Sequence, residues 1–227
     1  MKPVLDESFA YFYDKKAFGP AVPGGAVTPE HLARYRSKLP ARLLAYWQLF
    51  GFAGFGDGRF WLVDPAEYEV ALSTWIQGTP FEGNDDYFVI GRSCFGRLDV
   101  WGTRTGPSLR ILPTWGMLFP SDQSKWMKEG EADFLVSMWI EQMDKVYLDE
   151  TDENDQPLFE RAMKLLGPLH DDEMYGFIPA LALGGPCRLD HMQKVKAAEH
   201  LTLLAHLGER EVMMDIVKEA KDRGVWK

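Results

Sequence analysis

Hydrophobic residues recur along this chain at two spacings, one helical and one extended, and the switches between them mark its elements. After Pro40, the residues Leu43, Leu44, Trp47 and Phe50 fall at i, i+1, i+4 and i+7, one stripe of a helix that Gly51 stops. Thr28-Pro29-Glu30 opens an earlier helix, with a capping hydroxyl and a proline at the first helical position. Residues 1–27 scatter Phe9, Tyr11, Phe12 and Tyr13 among Gly19-Pro20 and Pro23-Gly24-Gly25, which predicts a packed but irregular arm. Residues 59–63 read as a short strand. Asp64-Pro65-Ala66-Glu67 then has the form of a capping box, opening a helix to Trp75 or Gln77. From Tyr87 to Phe119 the pattern is extended, with strands over 87–95, 98–101, 109–112 and 115–119 separated by Gly96, Thr105-Gly106-Pro107 and Pro113. Alternation in Leu98-Asp99-Val100 and Leu109-Arg110-Ile111 predicts antiparallel pairing.

Beyond Pro120 the helical spacing returns, with Leu135, Met138 and Trp139 on one stripe. An acidic loop follows, and Asp155 is expected to cap a helix whose buried face is Leu158, Phe159, Ala162, Leu165 and Leu166, ended by Gly167-Pro168. Residues 177–183 read as a strand in which Pro179 implies an edge or a bulge. A helix is expected from near Asp190, and a last one carrying Val212, Met213, Ile216 and Val217. Together these elements predict an α+β fold: N-terminal helices, a central antiparallel or mixed sheet of about five strands, and a mostly helical C-terminal half. Two regions are expected, 1–122 and 123–227, packed as one compact unit.

Composition narrows the class. A chain of 227 residues buries roughly 70% of its unfolded surface, so a real core is expected. With 46% hydrophobic and 26% charged residues the chain matches ordinary globular proteins. Apolar runs such as 177–183 fall far short of the ~20 residues a membrane-spanning helix needs. Asp6 and Glu7 stand where a secretory signal has its apolar centre, which makes the cytoplasm the expected compartment. Cys94 and Cys187 form no metal-ligand spacing and read as buried thiols. A formal net charge of −9 works against nucleic-acid binding and is compatible with a basic protein partner, although solubility alone also favours acidity.

Candidate chemistry is sparse. His200 and His206 lie about 120° apart on one helix and cannot grip one ion, and His191 has no second ligand one turn on. His170-Asp171-Asp172-Glu173 gathers the groups of general acid–base work, but it follows a Gly-Pro helix stop, where a solvated polar loop is the simpler reading. Cys94 lies within an expected strand, and no G-x-S-x-G elbow occurs. Gly51 to Gly58 lacks the Lys and Ser/Thr of a phosphate loop and reads as a tight turn. No catalytic residue, metal or cofactor is therefore assigned. The candidates for binding a partner are acidic: Asp149, Glu150, Asp152, Glu153 and Asp155 on one loop, and Asp171, Asp172 and Glu173 on another. Such carboxylates suit steering of a basic protein, and equally suit a solvated linker.

Three segments carry a resemblance to a known family. Leu43-Leu44-Ala45-Tyr46-Trp47 through Gly51-Phe52-Ala53-Gly54-Phe55 and Gly58 to Pro65 form the first, and Ile90-Gly91-Arg92-Ser93-Cys94-Phe95-Gly96-Arg97 to Gly102 the second. The third is Tyr175-Gly176-Phe177-Ile178-Pro179-Ala180 to Gly185, with Glu199-His200-Leu201 and Leu204-Ala205. In wording and order they resemble GAD-like proteins with a C-terminal type VI secretion immunity domain, over about Leu39 to Leu207. Arg97 stands where that family commonly has aspartate. The resemblance implies an immunity protein that binds a cognate DNase toxin and blocks its active site or DNA groove, with no enzyme activity, no direct nucleic-acid contact and no membrane; a monomer is expected. A looser similarity to the Smi/Knr-like superfamily implies, as the alternative, a regulatory scaffold for a cellular protein. The remaining rival is a small enzyme built on His170 and its neighbouring carboxylates.

Overall fold

The computed structural model describes residues 5–215 and Glu219. It opens with α1 (Glu7–Ala10), capped by Asp6, whose carboxylate accepts from the Phe9 amide at 3.0 Å. An edge strand, β1 (Val22–Gly25), follows, so the expected irregular arm contributes to both layers of the fold. In α2 (Pro29–Tyr35) Thr28 accepts from the His31 amide while His31 Nδ1 accepts from the Thr28 amide, a capping box with histidine in the usual glutamate place. α3 (Ala41–Phe50) stops at Gly51, whose φ of 72° lies in the region that favours glycine.

The chain then alternates strands and helices: β2 (Phe52–Phe55), β3 (Phe60–Leu62), α4 (Glu69–Ile76), β4 (Tyr87–Ser93), β5 (Leu98–Gly102), β6 (Gly106–Leu112) and β7 (Met117–Pro120). After them come α5 (Ser124–Lys128), α6 (Ala132–Glu141), α7 (Phe159–Leu166), β8 (Glu173–Phe177), β9 (Met192–Lys196), α8 (Ala197–Leu207) and β10 (Glu211–Val212). β1 to β7 form a continuous antiparallel meander, and β10 adds to β7 in parallel, giving a mixed sheet of eight strands. β8 and β9 form a separate hairpin.

Helices cover both faces of the large sheet. Alternation along β3 shows it: Trp61 joins a core with α4, α7, α8 and the β8–β9 hairpin, while Phe60 and Leu62 join one with α1, α3 and α6. Strands with two covered faces are apolar throughout, which is why β2 and β3 are buried at every position. Trp47, Trp61, Trp75 and Trp101 are fully buried, each such side chain adding roughly 1.5–3 kcal/mol of burial free energy. Trp61 and Trp75 also satisfy their indole N–H groups, on the carbonyls of Gly58 and Leu201.

Several expectations are corrected. The sheet has eight strands where about five were expected. The C-terminal half is not mostly helical, since it holds β8, β9 and β10 beside its helices. The strand expected over 177–183 is instead β8, ending at Phe177; beyond Pro179, which has no N–H to donate, the chain forms a 3-10 turn over Leu181–Leu183. The helix expected near Asp190 is preceded by β9 and begins at Ala197. Residues 52–55, expected in a tight turn, are strand β2. Val212, expected in a last helix, lies in β10, while Ile216 and Val217 fall outside the described residues. Asp64 caps a 3-10 turn over Pro65–Tyr68 by accepting from the Ala66 amide, and α4 begins only at Glu69.

Candidate partner-binding surface

The loop between α6 and α7 carries the first acidic group, and its carboxylates divide by what they hold. Asp149 caps α7: one oxygen accepts from the Leu158 and Phe159 amides at 3.2 and 2.8 Å. That is the task expected of Asp155, which instead sits in a turn with a φ of 57°. Asp152 is buried; one oxygen accepts from the Asn154 and Gln156 amides, and the other pairs with Arg161 at 2.6 Å. The Arg161 bond, with those amides, holds its carboxyl below the usual range. Glu150 accepts from the exposed Trp115 indole at 3.1 Å, and burial pushes its carboxyl up to about 7. Glu153 and Asp155 remain exposed, with no ion pair among the described residues.

The second acidic group lies at the start of β8. Asp172 pairs with Lys196 and Glu173 with Lys194, two lysines of the paired strand β9. Asp171 turns its backbone carbonyl to buried Arg92, which binds it at 2.9 Å. His170 is exposed, and its backbone N–H rather than its imidazole reaches Glu173. The Lys196 bond lowers the Asp172 carboxyl, and at Glu173 burial is outweighed by the His170 amide and Lys194. Carboxyls held ionised in this way are poor proton donors at neutral pH. Among the described residues no group of three or more His, Cys, Asp or Glu converges as metal ligands. His200 is buried on α8 and His206 exposed on it.

The two cysteines differ. Cys94 is fully buried in the turn after β4, its thiol pushed well up by burial, whereas Cys187 is only partly buried, so the expectation of two buried thiols holds for the first alone. Both are free.

Exposed aromatic side chains, which the sequence could not rank, stand beside the acidic loop. Tyr147 and Val146 are about three-quarters exposed, at 75% and 76%, and Trp115 is 47% exposed. Arg97, in the second resemblance segment, is buried; it pairs with Asp99 at 2.9 Å and donates to the Tyr147 carbonyl, tying this loop to the sheet.

Comparison with known proteins follows the same division of the chain. Residues 8–114 match the GAD-like domain, and residues 134–208 match the C-terminal domain of the T6SS immunity protein Tdi1. The chain belongs to the GAD-like, type VI secretion immunity family. Among curated proteins none matches it. The fold of this family member is similar to that in the crystal structure of Atu4351 from Agrobacterium tumefaciens, with a TM-score of 0.79 over 92% of this chain and 91% of that one, at 21% identity. The acidic loop, α7, the β8–β9 hairpin and α8 all lie within the segment matched to the Tdi1 domain, while α3 and β2 to β6 lie within the GAD-like match.

Proposed function

We propose that this chain is an immunity protein that binds a cognate type VI secretion DNase effector and neutralises it by covering its active site or its DNA-binding groove. The observation that carries this reading is the match of residues 134–208 to an immunity domain. The physical features support it in a consistent direction. A net charge of −9 suits a partner evolved to hold phosphates, and it would speed encounter with such a partner. The exposed acids Glu153 and Asp155, beside the exposed Tyr147 and Trp115, combine the steering charge and the aromatic anchors that tight interfaces use. The carboxylates of Asp149 and Asp152 serve mainly to shape that loop.

Inhibition of this kind is stoichiometric, with a dissociation constant on the order of nanomolar or tighter, as in colicin DNase–immunity pairs. The test is co-expression with a candidate cognate DNase effector, sought first among the genes adjacent to this one. Survival of the cells together with co-purification of the two proteins is the expected result. Death of the cells despite soluble expression of this chain would remove the proposal.

A further inference from the structure

The helical layer over one face of the large sheet leaves a gap. α6, through buried Leu135, Trp139 and Ile140, and α5, a helix of 5 residues, both pack on β6, and neither extends far enough to cover β7 beyond it. β10 pairs only with Met117 and Leu118, leaving the Phe119 end of β7 without a further strand among the described residues. Between α6 and this part of the sheet lies a cavity of about 330 Å³, at the lower end of the size of known binding pockets. Phe119, Trp126 and Met138 line it while staying 36%, 39% and 38% exposed. Three large apolar groups held partly open around one concavity, with polar neighbours at its rim, are the form an apolar binding site takes.

The floor of the groove has a charge opposite to that of the protein. Cross-strand register places Arg110 against Asp99 on one side and Phe119 on the other, so the three side chains share this face. Arg110 and Asp99 are the charged residues lining the cavity. Asp99 is buried and already bonded by Arg97 through two hydrogen bonds, at 3.1 and 2.9 Å. Arg110 reaches Asp99 with Nε alone, at 3.2 Å, and its side chain is 46% exposed. No hydrogen bond among the described residues engages its two terminal nitrogens. Two guanidiniums and one carboxylate leave one positive charge, with the unspent donors of Arg110 at the mouth. Trp139, lining the same cavity, has a buried indole N–H without a partner among the described residues.

We propose that this groove receives an apolar segment of the effector bearing a carboxylate, with Trp126, Phe119 and Met138 clasping the apolar part and Arg110 pairing with the acid. The inference rests on the immunity reading and deepens it, by naming where on this chain the effector docks and what chemistry docks there. A fork of two free guanidinium N–H groups fits a carboxylate in bidentate fashion, and Asp99 fixes the fork in advance, so little ordering is left to binding. Aromatic and arginine groups at the centre of a concave patch are the usual carriers of interface affinity. The acidic loop would then steer encounter from its position beyond Arg97, while the groove holds the complex.

The experiment measures binding of the full chain to a catalytically inactive form of the DNase effector against which it protects in the co-expression assay. Arg110→Gln and Trp126→Ala are compared with wild type, with Arg36→Gln, an exposed arginine on the end of α2, as the control of equal net charge. Thermal melts establish that each variant is folded. Weakening by about tenfold or more in both groove variants, mainly through faster dissociation, with Arg36→Gln within about twofold of wild type, is the expected result. Folded groove variants that bind as wild type does would overturn the groove while leaving the immunity reading standing. A wild-type chain that fails to bind the nuclease would overturn both. Equal weakening by Arg36→Gln would reduce the effect to net charge and also overturn the proposal.

Discussion

Glu150 offers a quantitative test of the environment built by the acidic loop. Its carboxyl is pushed from the ordinary 4.5 up to about 7, chiefly by burial and further by the charge of Asp149, against the opposing bond from Trp115. A carboxyl whose folded value exceeds its unfolded value binds its proton more tightly in the folded state. Its contribution to stability is therefore greatest below 4.5, declines as pH rises to about 7, and is level above that. At ~1.4 kcal/mol per unit the difference has a ceiling of between about 3 and 4 kcal/mol, and partial exposure of the side chain screens it to on the order of 2 kcal/mol. Glu150→Gln removes the ionisation while an amide oxygen can still accept from the Trp115 indole. Urea unfolding of both proteins from about pH 5 to about pH 8 should show the variant gaining on wild type by on the order of 1–2 kcal/mol, most of it below about pH 7.5. A gap that stays constant across that range would refute the burial assigned to this group.

The other predictions concern the same loop and its neighbour. Asp149→Ala removes the cap of α7 and should lower the urea midpoint by the equivalent of about 1–2 kcal/mol, whereas Asp155→Asn, which suits its φ of 57°, should change it by less than about 0.5 kcal/mol. Equal effects would show that the cap is misassigned. Neutralising Glu153 and Asp155 together should slow association with the nuclease and flatten its salt dependence without altering stability, and unchanged stopped-flow rates would leave them as solvated linker charges. His170→Ala with Asp171→Ala should leave protection in the co-expression assay intact; loss of protection by a folded double variant would return that cluster to consideration.

What could be read in the sequence follows from how local each signal is. α3 was legible because its start at Pro40, its stripe and its stop at Gly51 all lie within a short stretch. The central strands β4 to β7 were legible from alternation and turn residues for the same reason. β1 was not, because Pro23, Gly24 and Gly25 oppose the strand propensity of Val22, and the segment becomes a strand by lying along β2. β2 was hidden by its glycine, and Gly54 is required there: a side chain would meet the Trp61 ring at 2.8 Å. β9, with its alternating Gln193-Lys194-Val195-Lys196, reads as strand only once β8 stands beside it. At the candidate site the positions of the acids were legible and their roles were not, since Arg161, Lys194 and Lys196 reach them from other elements. The aromatic groove was invisible for a related reason. Phe119, Trp126 and Met138 come from three elements, and nothing in their local spacing distinguishes a wall of a cleft from a piece of core.

The most direct measurement is a titration of the cognate DNase effector with purified chain, following DNA cleavage at fixed enzyme concentration. If this chain neutralises the nuclease by covering its working surface, cleavage falls in a straight line to zero at one chain per nuclease. Cleavage that persists at a large molar excess of the folded chain would contradict the proposed function.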